Sequence, residues 1–248
     1  MDSQSLFVGD AAVDALHAHR VVLFAVASLA ELRESDTASH LLRVKQYVRL
    51  LAEKLQQQAA YAALLTSDYI NALCVSVPMY DLGTVGIPDR ILLKPGRLTS
   101  EELATMMTHT TRGYEAIVQA EKALGLRSGM LNIAKELTLC HHEKWNGKGY
   151  PKGLSETQIP LSARLVALAD VYDALISNKI YRQGVSHEAA VGVIFGERGQ
   201  HFDPDVVDAF MELTVEFDAV AHRYADNDRD MQNKIDYMAN AIAEMAVL

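Results

Sequence analysis

Apolar residues recur along this chain with a period near 3.6, a spacing that admits helices and little else. Leu41, Val44, Val48, Leu51 and Leu55 fall on one stripe, and Leu161, Leu165, Leu168, Val171 and Leu175 fall on another. Strand-type alternation is hard to find, and the short apolar run from Leu73 to Val77 reads as a buried helix end. The expected fold class is all-α, with helices over 11–34, 39–58, 61–80, 100–124, 130–142, 161–177, 187–195, 204–222 and 228–245. Thr99-Ser100-Glu101-Glu102 has the form of a capping box and marks one helix start. The prolines, Pro88, Pro95, Pro151 and Pro160 among them, fall at element boundaries. Two longer irregular stretches, 83–96 and 145–159, directly follow clusters of polar residues, where functional loops tend to lie.

A chain of 248 residues, 50% hydrophobic and 22% charged, can bury a substantial core as one large domain or two small ones. Its net charge of -9 disfavours a nucleic-acid polymer or an anionic membrane surface as partner. A small anion held by a local basic patch remains open. Cys74 and Cys140 show no pairing pattern, which fits a cytoplasmic location. The segment from Val21 to Leu32 is too short to span a bilayer, and residues 1–4 carry no basic run, so neither anchor nor export signal is expected.

Polar residues interrupt the apolar helices where core is due: Asp36 with His40, Asp81, His109, the doublet His141-His142, and Asp170 with Asp173. Asp170 and Asp173 share a helix face, and Asp36 and His40 do so if their helix begins early enough. A buried carboxylate without a partner is costly. Imidazoles and carboxylates gathered from several helices satisfy one another around a divalent metal, and such a set suits iron, manganese, cobalt, nickel or zinc better than calcium. Any lone histidine is more often a hydrogen-bonded core residue, and His17, His19, His187, His201 and His222 are read that way. Asp173 reads equally as a residue that orients a neighbour, and Cys140 as packing.

The run His141-His142-Glu143-Lys144-Trp145-Asn146-Gly147-Lys148-Gly149-Tyr150-Pro151 resembles the signature of the HD-GYP family, a branch of the HD metal-dependent phosphohydrolases. Similarity extends to Ile87-Pro88-Asp89, Lys94 to Thr99, the helix with His109 and Gly113, the segment from Ala169 to Arg182, and His201-Phe202-Asp203-Pro204. The resemblance implies an HD-domain helical bundle over 29–222, flanked by an N-terminal helical extension, 1–28, and a C-terminal helix, 223–248. It implies a bundle core that holds two or three metals, most often iron or manganese, and hydrolysis of cyclic di-GMP. By position the metal ligands are Asp81, as the bridging and catalytic carboxylate, His109, His141, His142 and Asp170. Asp36 and His40 match a pair that completes a third metal site in some members, although the shorter Asp36 stands where those have glutamate. Lys179 and Arg182 fall where the family places basic residues against the nucleotide. Tyr150 belongs to the loop that walls the pocket.

Two departures strike the chemistry. The family's His-Asp pair is Tyr80-Asp81 here, and the lysine three positions after the aspartate is Thr84. A phenol is a weaker metal ligand than imidazole at neutral pH, and a lost cation of that kind costs about 10²-fold in rate. Asn146, where the family has aspartate, is expected to affect loop hydrogen bonding alone. Two readings follow: a phosphodiesterase whose hydrolysis is weak or lost, or a noncatalytic module that binds cyclic di-GMP or a protein. Met231, Ile235, Met238, Ile242 and Met245 form a C-terminal apolar stripe that either packs on its own bundle or serves a homodimer or signalling partner.

Overall fold

A computed structural model describes residues 11–33, 37–178 and 183–226, together with Gln232 and Asp236. Asp36, Lys179, Arg182 and the C-terminal apolar stripe lie outside the described residues. The described chain is helical, in the order α1 (Ala11–Arg33), α2 (Ala38–Gln56), α3 (Ala59–Ala62), α4 (Ser67–Ser76), α5 (Asp89–Leu92), α6 (Ser100–Met107), α7 (His109–Leu124), α8 (Gly129–Cys140), α9 (Leu161–Ile176), α10 (His187–Gly196), α11 (Pro204–Met211) and α12 (Thr214–Arg223). No β-strand occurs among the described residues, only an isolated bridge between Arg198 and Phe202. The all-α expectation holds.

The stripe on α2 is the seam of the core: Leu41, Val44, Val48, Leu51 and Leu55 are all 0% exposed. Each such side chain stabilises the fold by roughly 1.5–3 kcal/mol through burial. It packs on α9, which buries residues all round its circumference, from Leu161 and Ala163 to Leu168 and Tyr172, as expected of a central helix. Tyr47 stacks on Phe217 with centroids 4.4 Å apart, and Tyr172 and Phe210 close the same cluster edge-on. Helix α8 bridges α7, α4 and α9, which brings its C-terminal end over the same end of the bundle.

Three expected helices are broken in two. The helix expected over 61–80 stops at Ala62 and restarts at Ser67, because the Thr66 side chain accepts a hydrogen bond from the Tyr69 N–H and caps a new start. The helix expected over 100–124 begins with the capping box of Thr99 and Glu102, then breaks at Thr108, whose hydroxyl donates back to the Thr105 carbonyl. That break makes His109 the first residue of α7 instead of a mid-helix residue. The third, over 204–222, divides between Met211 and Thr214. The stretch 83–96 is less irregular than expected, with a 3₁₀ turn over Leu82–Gly86 followed by α5.

Candidate metal centre

Five elements meet at one end of the bundle and deliver the polar residues to a single pocket. His40 comes from the first turn of α2, Tyr80 and Asp81 from the turn after α4, His109 from the start of α7, His141 and His142 from the end of α8, and Asp170 from α9. A cavity of about 320 Å³ is walled by these residues except His141, with Glu31, Thr84, Tyr150 and Ala174. A second cavity of the same volume, about 320 Å³, lies beside Arg43, Tyr172 and His187. Volume does not choose between them; converging ligand atoms do.

Asp81, His109, His141 and His142 each offer one ligand atom, and these atoms lie within 4.8 Å of one another. Asp81 Oδ1 is 3.2 Å from His109 Nε2 and 3.2 Å from His141 Nε2, and the two nitrogens are 3.3 Å apart. The far nitrogen of each ring is engaged with backbone: His109 Nδ1 donates to the Met106 carbonyl at 2.8 Å and His141 Nδ1 to the Leu137 carbonyl at 2.8 Å. That tautomer leaves both Nε2 atoms as lone pairs aimed at each other and at a carboxylate. Asp81 Oδ1 is buried without a hydrogen-bond partner. Three acceptors facing one another repel unless a cation lies among them, and ligand atoms about 2.1 Å from one ion stand roughly 3.0–3.4 Å apart. The residues fit a metal.

Burial, and then the adjacent His141 ring, depresses the pKa of His142 well below the ordinary imidazole value, so His142 stays neutral and able to ligate. Tyr150 stacks on the His142 ring, centroids 4.8 Å apart, and forms the outer wall of the pocket.

The other side of the pocket is built differently. His40 Nδ1 donates to Asp173 at 2.8 Å, and Arg43 grips the same carboxylate with bonds of 2.6 and 2.8 Å. Burial would raise the Asp173 pKa, but the bonds from His40 and Arg43 bring it down to about 2; a carboxylate only accepts, so Nδ1 is the donor. His40 Nε2 then faces the Tyr80 hydroxyl at 2.7 Å, and that hydroxyl is 2.8 Å from Asp170 Oδ1. Burial first, then the carboxylates of Asp170, Asp81 and Glu31, push the Tyr80 phenol well above its ordinary value. One phenol proton cannot serve both contacts, so the His40–Tyr80–Asp170 chain carries one further proton. Asp170 is suited to share it, since burial raises its pKa against the opposing pull of His40.

Backbone contacts hold these side chains in register. A Cβ on Gly83 would lie 1.9 Å from the His109 carbonyl oxygen, so only glycine lets the Asp81 turn approach α7 this closely. Arg33, at the end of α1, donates to the Thr84 carbonyl at 3.1 Å and the Ile87 carbonyl at 3.0 Å and ties down the same turn. Thr84 is buried with its hydroxyl donating to the Asp81 carbonyl at 2.8 Å, so it braces the turn and offers no cation. Buried Glu143 accepts from the Lys152 and Leu154 amides and fixes the loop that carries Tyr150. The Asn146 side chain accepts from the Lys148 amide at 3.0 Å and donates to Gln200 Oε1 at 3.4 Å, which ties the loop to the turn between α10 and α11.

Sequence reasoning missed Glu31, Arg33 and Arg43. Glu31, 4% exposed, points into the pocket 3.9 Å from His40 Nε2. Its signal was a glutamate on the same helical face as Phe24 and the buried Ala27. The five histidines expected to be hydrogen-bonded core residues lie outside the cluster, but His17, His19 and His222 are exposed and not core; His187 bonds Tyr172 at 2.8 Å, and His201 stacks on Phe202, where burial and Lys144 lower its pKa to about 4.

An all-helical fold that gathers histidines and aspartates at one end is the arrangement of an HD domain. The profile of that family, described as HD domain, matches residues 28–206, and the chain belongs to it. A "Probable cyclic di-GMP phosphodiesterase" of Vibrio cholerae is 48% identical over 85% of this chain and 48% of its own length. A "Cyclic di-GMP phosphodiesterase" of the same organism is 48% identical over 83% of this chain and 42% of its own length. The chain thus spans about half the length of these relatives. Among solved structures, a cyclic GMP-AMP specific phosphodiesterase of V. cholerae shares the fold with a TM-score of 0.57 at 15% identity, covering 92% of this chain and 59% of that one. No described helix is long and apolar enough to cross a membrane.

Proposed function

We propose that this chain is a metal-dependent phosphohydrolase-fold protein directed at cyclic di-GMP, with hydrolysis weakened or lost by Tyr80 and Thr84. The observation that carries the metal reading is the triangle of Asp81 Oδ1, His109 Nε2 and His141 Nε2, three acceptors 3.2–3.3 Å apart. Asp81, His109, His141 and His142 hold the metal, with Asp170, Tyr80 and His40 facing them across the pocket. Asp81 is the catalytic carboxylate. Iron or manganese suits the mixed nitrogen and oxygen donors. When bound, the metal supplies Lewis acidity toward a phosphodiester and a water molecule. Tyr150 contacts the nucleotide, and Lys179 and Arg182 supply its cationic partners.

The substrate class is supported by the names of the relatives, and the weak turnover by the residues at positions 80 and 84. Thr84 gives no cation to offset phosphate charge, and Tyr80 gives no imidazole. The alternative, a noncatalytic module that binds cyclic di-GMP or a signalling partner, rests on the same two positions. The domain is proposed to cover 29–222, with helical flanks 1–28 and 223–248. A cytoplasmic location is proposed, in keeping with two buried free thiols, Cys74 and Cys140.

The deciding experiment measures metal content after purification without chelators, then turnover of cyclic di-GMP with added Mn²⁺ or Fe²⁺. Wild type is compared with Tyr80→His plus Thr84→Lys. A slow wild type and a double variant faster by about 10²-fold are expected. Rapid wild-type turnover would overturn the weakened-enzyme reading, and a metal-free protein that the double change leaves inert would overturn the enzyme reading altogether.

A further inference from the structure

Three potential ligand groups converge on the Tyr80 hydroxyl from three different helices: Glu31 of α1, His40 of α2 and Asp170 of α9. The phenol oxygen is 2.7 Å from His40 Nε2 and 2.8 Å from Asp170 Oδ1. Those two atoms are 3.7 Å from each other, and Glu31 Oε2 is 3.9 Å from the same nitrogen. An imidazole and two carboxylates are a donor set of the same kind as that on the Asp81 side. Here, however, the space among the donors is taken by an oxygen of the protein itself.

The ring behind that oxygen is not free to swing away. Tyr80 is 1% exposed, and its ring meets His141 edge-on with centroids 5.1 Å apart. His40 is equally fixed, because Asp173 and the Arg43 fork lock its orientation. An ion entering this side must break two buried hydrogen bonds and displace a packed aromatic ring. On the Asp81 side, by contrast, a ligand atom, Asp81 Oδ1, is buried without a hydrogen-bond partner.

We infer that Tyr80 plugs one half of the pocket, so that the chain retains a single divalent ion, held by Asp81, His109, His141 and His142, instead of a metal cluster. This inference rests on the metal reading proposed above and narrows it. Tyr80 is a positioning residue here, holding His40 and Asp170 to each other through its hydroxyl.

The test counts metal on the full chain, loaded with excess Mn²⁺ or, anaerobically, Fe²⁺, desalted, and measured by elemental analysis. Wild type is expected to retain about one equivalent and Tyr80→His about two, since an imidazole recreates the missing ligand. His40→Ala should still retain one, whereas His109→Ala should retain none. Two equivalents on wild type would overturn the inference and leave the metal reading standing, as would one equivalent on a folded Tyr80→His. Iron-loaded, air-oxidised wild type gives an independent readout: a phenolate-to-iron(III) charge-transfer band would show Tyr80 to be a ligand and overturn the plug, and its absence supports it. No retained metal on wild type would overturn the metal reading itself, and this inference with it.

Discussion

The two sides of the pocket use the same kinds of side chain and differ in what lies between them. On the Asp81 side, carboxylate and imidazole ligand atoms converge 3.2–3.3 Å apart, and Asp81 Oδ1 is buried without a hydrogen-bond partner. On the His40 side, contacts of 2.7–2.8 Å run through a phenol hydroxyl and are hydrogen bonds. The difference teaches that donor type alone does not make a metal site. A ligand set stays ready for an ion only while its lone pairs lack a better partner, and one tyrosine is enough to supply that partner.

The contrast is broken most severely by removing the Asp81 side. His141→Ala should lower metal affinity by more than about 10²-fold, read by competition with a fluorescent chelator, because a direct ligand matters more than the outer-shell groups that already contribute 10–100-fold. Asp173→Ala attacks the other side. It strands the buried Arg43 and frees His40, and should cost about 3–5 kcal/mol in chemical denaturation while leaving the Asp81 cluster its metal. Gly83→Ala should cost about 3 kcal/mol and weaken metal binding together, since the added Cβ forces the Asp81 turn off α7.

A smaller effect is expected from pH. The folded-state pKa of Asp173 is depressed from 3.8 to about 2. Its contribution is therefore fully present above pH 3.8 and is lost as pH falls through about 2, because the unfolded chain takes up the proton first. Denaturation midpoints followed from pH 5 to pH 2 should show about 2 kcal/mol of this loss in wild type and none of it in Asp173→Ala. A change of the same order is expected from Tyr80→Phe. Loss of the hydroxyl leaves His40 Nε2 and Asp170 without their shared partner, at about 1–3 kcal/mol, with metal affinity on the Asp81 side unchanged. A strong loss of metal in that variant would erase the distinction between the two sides.

Much of this was legible in the sequence because helices and their faces are local. The α2 stripe, the Thr99 capping box and the aggregate of His109, His141, His142, Asp81 and Asp170 could be read from spacing and from resemblance. The breaks at Thr66 and Thr108 were not, since a threonine inside an apolar period looks like an ordinary helical residue until its hydroxyl is seen to bond the backbone, accepting from the Tyr69 N–H at Thr66 and donating to the Thr105 carbonyl at Thr108. Glu31, Arg33 and Arg43 were missed for another reason. Each is a charge on a helix with other charges close by in sequence, and such charges usually face water. Here Glu31 turns into the pocket, Arg33 ties down the Asp81 turn, and Arg43 braces Asp173.

The sequence by itself determined that the chain is helical and which residue types are available to a metal. Only the tertiary structure decided how those residues partner one another. Period and composition fix which face of a helix is apolar. The separation of His40, Tyr80 and Asp170 depends on how α2, the turn after α4 and α9 pack together.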